Sequence, residues 1–457
     1  MTKLSNIQTS DLESVIHPYT QLKALQETGA TIFDHAKGVY IWDTEGKKYL
    51  EGMGGLWCTA LGYGNEEMID AAQAQMRQLS FSHLFAGKSH EPAIVLADML
   101  KEISPAPTSK IFFTCSGSEA NDTQIKLAWY YNNARGLPKK KKIISRHRAY
   151  HGVTIMSASL TGLPGNHTDF DLPIEGILHT DCPDHYRGAE KGETEEEFST
   201  RLAYNLDQMI IREDPDTIAA FIAEPIMGAG GVLIPPETYF DKIQAVLNKY
   251  DILFIVDEVI CGFGRTGNMF GSETYNIKPD TISMAKAITS AYAPLGAITL
   301  SEDMYEAYVD QSAKIGTFGH GYTYSGHPLG CALGIKALEI YKRIDIVGRA
   351  RNLTPLFQKR LMAIGDHPLV GEARGVGLVG GVELVANKTE KTPFGPLGKV
   401  GTIADAACRQ EGLILRNIGD TLAICPPLVI TESEIDELFD SLTRALDKTH
   451  EWTLKEM

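Results

Sequence analysis

Between about residue 60 and residue 330, short apolar runs alternate with stretches of helical period. The runs are residues 111–114, 143–145, 218–223, 252–256, 281–284 and 296–300, each of strand length. Strands that alternate with helices predict a mostly parallel sheet covered by helices. Earlier, residues 37–50 alternate around Glu45-Gly46, which predicts a hairpin. After residue 335 the character changes: an Ala-, Leu- and Ile-rich helix, then Gly375-Val376-Gly377-Leu378-Val379-Gly380-Gly381-Val382-Glu383-Leu384, then more helix. The pattern predicts an α/β large domain over residues 61–334 and a smaller α+β domain over 335–457. The N-terminal segment, 1–60, is expected to complete the smaller one.

A chain of 457 residues is long for one core and suits this division. Apolar and charged contents of 43% and 22% are ordinary globular values, so composition adds little. The net charge of −15 does add something, because it argues against nucleic acid or an anionic membrane as partner. The one basic run, residues 139–142, follows Gly136-Leu137-Pro138 and reads as a solvated loop entering a strand. Seven scattered cysteines without a Cys-x-x-Cys pair suggest reduced thiols in a cytoplasmic protein, with neither a disulfide frame nor a metal site. No apolar leader or bilayer-length stretch is found, which leaves the cytoplasm as the default.

Ligands of open parallel sheets bind beyond the carboxyl ends of the strands. Four chemically equipped segments follow such ends here: Ser116-Gly117-Ser118-Glu119-Ala120, Tyr150-His151-Gly152, Asp257 and Lys286. The first opens a helix expected to stop at Gly136-Leu137-Pro138. Its glycine and first-turn N–H groups suit a phosphate, with Ser118 adding a hydroxyl. Asp257 ends a doubly buried run, where a carboxylate is costly unless paired with a positive group. Glu258 points the other way along the strand. Val259 returns to the Asp257 side if the strand continues. Lys286 lies between Met284-Ala285 and Ala287-Ile288, an apolar setting unlike that of most lysines. An amine for an aldehyde, a carboxylate for a ring nitrogen and a nest for a phosphate are together what pyridoxal phosphate needs. Tyr150 is the candidate for stacking on one ring face and Val259 for packing on the other. His147 and His151 suit helper or structural roles, since the lysine can itself carry the proton.

Other stretches suit site walls. Gly54-Gly55-Leu56-Trp57-Cys58 sets an indole beside glycines, and residues 319–328 form a loop rich in glycine, hydroxyl and imidazole groups. Arg416, after Leu413-Ile414-Leu415, could clamp a substrate carboxylate in a bidentate pair.

At these residues the chain resembles the class III aminotransferases, pyridoxal-phosphate enzymes of the aspartate aminotransferase fold (fold type I). The most specific match runs from Phe254-Ile255-Val256-Asp257-Glu258-Val259-Ile260-Cys261-Gly262-Phe263-Gly264-Arg265-Thr266-Gly267 through Lys286 to Pro294-Leu295-Gly296-Ala297. Trp57, Tyr150-His151-Gly152, Ala223-Glu224-Pro225 and Tyr322-Thr323-Tyr324-Ser325-Gly326-His327-Pro328 are similar to the amine:pyruvate (ω-transaminase) branch. The resemblance implies a seven-stranded sheet, Lys286 bonded to the cofactor and Asp257 paired with its ring nitrogen. It also implies phosphate contacts from Gly117 and Ser118, stacking by Tyr150, and Thr323 reaching the phosphate of a neighbouring subunit in a homodimer with shared sites. Residues matching Tyr19, Trp57, Phe85 and Ala229 line the substrate pockets in this branch, and the arginine matching Arg416 swings in for carboxylates. Branch members with glutamate-type co-substrates usually carry Gln where Ile260 stands, which weakens a 2-oxoglutarate assignment.

The expected reaction is ping-pong transamination from a primary amine donor to a keto acid acceptor, with pyruvate the expected acceptor. An aminomutase or decarboxylase on the same fold would consume no keto acid. A nucleotide-binding oxidoreductase needs Gly-x-Gly-x-x-Gly after an early strand. Gly375-Val376-Gly377-Leu378-Val379-Gly380 has that spacing but comes late and lacks a following helix.

Overall fold

The computed structural model describes residues 4–457. Its main sheet has seven strands, six of them on the runs expected from the sequence. Across the sheet they lie in the order Lys110–Thr114, Gly296–Leu300, Thr281–Met284, Leu253–Asp257, Ile218–Ala223, Lys142–Arg146 and Ile177–Thr180. All run in one direction except Gly296–Leu300, which is antiparallel to both neighbours. The central strands Ile218–Ala223 and Thr281–Met284 are buried at every position. That is why they read as continuous apolar runs, covered by helices on both faces.

Register brings the chemistry to one edge. Asp257 pairs with Ser283, and Ala223 pairs with Val256, so Glu224 falls level with Asp257. Helix Gly117–Ala134 packs on this sheet through Ala120, Ile125 and Leu127, and ends before Gly136 as expected. Full burial of side chains the size of Ile125 and Leu127 contributes about 1.5–3 kcal/mol each. Gln124 is buried on the same face, and its amide bonds Thr281 Oγ1 at 2.9 Å and the Ile282 carbonyl at 3.0 Å.

Two four-stranded sheets flank this body. Phe33–Lys37, Tyr40–Asp43 and Lys48–Glu51 form one with Leu413–Ile414, which pairs in parallel with Lys48–Glu51. The expected hairpin is its second and third strands. We propose on this pairing that the N-terminal segment completes the C-terminal unit; helix Pro328–Arg343 carries the chain across residue 335. The other sheet holds Val370–Val376, Val379–Leu384, Thr421–Ile424 and Arg416–Ile418. Gly377 and Leu378 form the tight turn of its hairpin, with Val376 opposite Val379. Gly377 has φ +57°, and a Cβ there would lie 2.4 Å from the Arg265 carbonyl. The Gly375–Gly380 spacing is therefore strand and turn, not a nucleotide loop.

The lysine run departs from expectation. Lys140 is only 4% exposed, with its ammonium 3.2 Å from both the Tyr250 carbonyl and the Asp251 carboxylate. The strand entry abuts the 250–251 turn, and the lysine caps it. All seven cysteines are free.

Candidate active site

Lys286 follows strand Thr281–Met284 after one extended residue and has φ +51°. A non-glycine residue held there costs on the order of 1–3 kcal/mol, strain that the packed turn Lys286–Ile288 must sustain. Lys286 lines a cavity together with Asp257, Asn121, Tyr150, His151 and Glu224. Burial pulls its ammonium pKa below the usual lysine range, and the charge of Asp257 opposes that pull. A lowered pKa favours the neutral amine, the form that acts as base or nucleophile.

Asp257 is 4% exposed and held by three donors. Asn121 Nδ2 donates to Oδ2 at 2.7 Å, and the Val259 N–H donates to Oδ1 at 3.1 Å. His151 Nδ1 lies 2.9 Å from Oδ2, and since an ionised carboxylate only accepts, the ring proton sits on Nδ1. These bonds hold the carboxylate in place with one side open to the cavity. Val259 reaches the site differently from expectation: the strand ends at Asp257, and a turn rather than strand alternation brings the valine round. Glu258 faces away, as expected. It accepts the Gly271 N–H at 2.9 Å and the Ser272 N–H and hydroxyl at 2.6 Å.

The first turn of helix Gly117–Ala134 forms a cradle. Its opening N–H groups have no intrahelical partner, and the Ser116 hydroxyl takes only that of Glu119, at 3.2 Å. The Ser118 hydroxyl accepts the Val153 N–H at 3.2 Å, which leaves its own proton free to donate. A Cβ on Gly117 would press on Val259 at 3.1 Å, and one on Gly152 would strike Ser118 Oγ and Ser157 Oγ at 2.5 Å. Only glycine keeps this cradle open.

Glu224 joins two site loops. Buried and 4% exposed, it accepts the Tyr150 N–H at 3.0 Å through Oε1 and the Gly228 N–H at 3.2 Å through Oε2. Ala229 is buried in the second loop, whose carbonyls at Gly230 and Gly231 are held at 2.6 Å by Arg148 and Arg374. Burial pushes the Tyr150 phenol well above its usual range, and the neighbouring Tyr19 hydroxyl adds to the shift.

A model of the family described as aminotransferase class-III matches residues 24–446. The chain belongs to the class III aminotransferases. The mitochondrial gamma aminobutyrate transaminase 1 of Solanum lycopersicum is 50% identical over 436 residues, 95% of this chain and 85% of its own. The chloroplastic gamma aminobutyrate transaminase 3 of the same plant is 51% identical over 419 residues, 92% of this chain and 81% of its own. Among solved structures, the omega transaminase of Pseudomonas jessenii in complex with PMP superposes with a TM-score of 0.97 at 50% identity, covering 98% of this chain and 99% of its own.

Class III aminotransferases use pyridoxal phosphate, and this site fits it. The glycine cradle admits a phosphate, the open side of Asp257 suits a protonated ring nitrogen, and the amine of Lys286 faces the same cavity. The outer residues of this aminotransferase are less converged. Trp57 is 2% exposed and packs in a cluster that Ile260, a cavity residue, touches. Arg416 sits 5.8 Å from the ring centroid of Tyr19, which is 61% exposed and accepts from Asn166 at 2.6 Å. Phe85 is 46% exposed and packs beside Gly321, while Thr323 is exposed on the 319–328 loop; neither lines the cavity within this chain. Sequence reading missed Asn121. Its signal was a place one helical turn beyond Gly117 and Ser118, on the same face.

Proposed function

We propose that this aminotransferase moves an amino group from a primary amine to pyruvate in two half-reactions, and that it works as a homodimer in which Thr323 serves the partner's phosphate site. The observation that carries the reading is half-buried Lys286 and buried Asp257 facing a glycine-built phosphate cradle across one cavity. When bound, pyridoxal phosphate supplies an aldehyde that takes up the donor amine and a ring that withdraws electrons from the substrate carbon. Lys286, biased by burial toward the neutral amine, would take the proton from that carbon and deliver it to the carbon that carried the aldehyde, two bonds away. Asp257, fixed by Asn121, His151 and the Val259 amide, holds the proton on the ring nitrogen. Gly117 and Ser118 bind the phosphate, while Tyr150 and Val259 hold the two ring faces.

For the substrate we assign Tyr19, Trp57, Phe85, Tyr150 and Ala229 to the pocket walls and Arg416 to a carboxylate. One similar structure is an omega transaminase engineered for synthesis of bulky amines, with a tryptophan, a phenylalanine and an arginine replaced. Those three have the same mutual spacing in that chain as Trp57, Phe85 and Arg416 have in this one. The apolar Ile260 in the cavity wall favours pyruvate over a longer diacid. The likeness to gamma aminobutyrate transaminases favours a second donor, an ω-amino acid whose carboxylate would meet Arg416. We place the enzyme in the cytoplasm on its seven free cysteines; two of its plant relatives are named as mitochondrial and chloroplastic.

Product analysis tests the reading. With 1-phenylethylamine or γ-aminobutyrate as donor, carbonyl product and alanine should form one for one from pyruvate, and 2-oxoglutarate should support a slower reaction. Product without consumption of keto acid would favour an aminomutase or decarboxylase instead.

A further inference from the structure

Glu51 lies outside the chemistry described so far. It ends strand Lys48–Glu51, is 3% exposed, and among the described residues no cation figures in its setting. Burying an unpaired carboxylate is costly, a cost that three hydrogen bonds to Glu51 offset. Oε1 accepts the Met53 N–H at 3.0 Å, and Oε2 accepts the Gly55 N–H and, at 2.9 Å, the Tyr63 hydroxyl. The backbone it grips is the strained turn that ends at Trp57. Gly54, Gly55 and Trp57 have φ of +58°, +66° and +65°, a region that a tryptophan enters only when its surroundings hold it there. The turn is also wedged from outside, since a Cβ on Gly54 would lie 2.8 Å from the Cys425 carbonyl. The indole is thereby pressed into the cluster of Met53, Ile226, Cys261 and Cys425 against which Ile260 packs.

We propose that Glu51 is a positioning residue for the Trp57 wall: as a carboxylate it grips the Met53 and Gly55 amides and seats the indole, and as a neutral acid it lets that wall shift. The proposal rests on Trp57 being a substrate-pocket residue. Protonation of Oε2 weakens the bond to Gly55, because that oxygen must then donate, and only the Tyr63 hydroxyl can rotate to accept. Burial raises the Glu51 pKa to about 7, so the change falls near neutrality. Three titratable groups feel its charge: Tyr63, Cys58 and Cys425. Burial pushes all three up, so they stay neutral there, while Lys286 and Arg265 act on the two thiols. Glu51 is the group in this cluster that changes charge.

The test is the tryptophan emission of the holoenzyme from about pH 5 to about pH 9. Wild type, Glu51→Gln and Tyr63→Phe are each compared with the same protein carrying Trp57→Phe, which isolates the Trp57 component. That component should change with a midpoint of about 7 in wild type and stay flat in Glu51→Gln. In Tyr63→Phe the midpoint should move to higher pH, since a donor that favours the carboxylate is gone. The KM for 1-phenylethylamine relative to that for isopropylamine should follow the same midpoint and rise on the order of tenfold in Glu51→Gln, with kcat for isopropylamine kept. If Glu51→Gln does not fold, the Tyr63→Phe displacement decides. A Trp57 component that is flat in wild type, or a midpoint unmoved in Tyr63→Phe, overturns the proposal. Absence of turnover with either amine would count against the donor assignment alone, because emission does not depend on turnover.

Discussion

Lys286 and Asp257 act on each other before any ligand arrives, one lowered by burial and drawn back by the other's charge. Removing either should separate binding from chemistry. Lys286→Ala should lose turnover by at least about 10²-fold, the least expected of a positioned acid–base group. It should still retain cofactor through the cradle, measured as bound phosphate without the lysine-linked visible absorbance. Asp257→Asn should lower kcat about 10²–10³-fold with cofactor kept, as when a preorganised electrostatic contact is removed; single-turnover kinetics check it. Both residues were legible in the sequence because each is a charge at the end of an apolar run. The partners of Asp257 were not. Asn121 is visible as a residue on a helix face, but only the packing of that helix on strand Leu253–Asp257 aims it at the carboxylate. His151 was given a helper or structural role, without the Nδ1–H bond through which it orients Asp257.

The cradle belongs to whole elements: the helix opening at Gly117 and the loop that brings Gly152 against Ser118. Gly152→Ala would force Ser118 Oγ or the loop itself to move, from a contact of 2.5 Å and a φ of +133°. Cofactor affinity should fall on the order of tenfold or more, with the fold intact, as read by titrating apoenzyme with pyridoxal phosphate. At this scale the strands were legible wherever burial on both faces made them uniformly apolar. Strand Ile177–Thr180 was not, because it lies at the sheet edge and carries His179 and Thr180, half of its four residues polar. The reversed direction of Gly296–Leu300 was not legible either, since side-chain pattern does not encode which way a buried strand runs.

Over the whole molecule, two buried carboxylates, Glu51 and Glu258, have pKa values raised to about 7 by burial. An acid with a raised folded-state pKa contributes stability that is full below its unfolded pKa, about 4.3, and is lost as pH rises through 7. His179 and His320, lowered to about 4, act in the opposite sense as they stay neutral in the fold, so only a difference isolates the acids. The melting temperature of Glu258→Gln should therefore gain on that of wild type between about pH 5 and about pH 8; a constant offset would contradict this. The large sheet and its active edge could be read from alternation and strand ends. Trp57, Ala229 and Arg416, the proposed substrate walls, could be named one by one, but not how their three segments pack, which only tertiary structure sets. The central claim is tested most directly by adding 1-phenylethylamine to the holoenzyme with no keto acid present. The account predicts loss of the lysine-linked absorbance with one equivalent of acetophenone per site, restored by pyruvate with formation of alanine. Absorbance that persists, with no ketone formed from this amine or from γ-aminobutyrate, would contradict it.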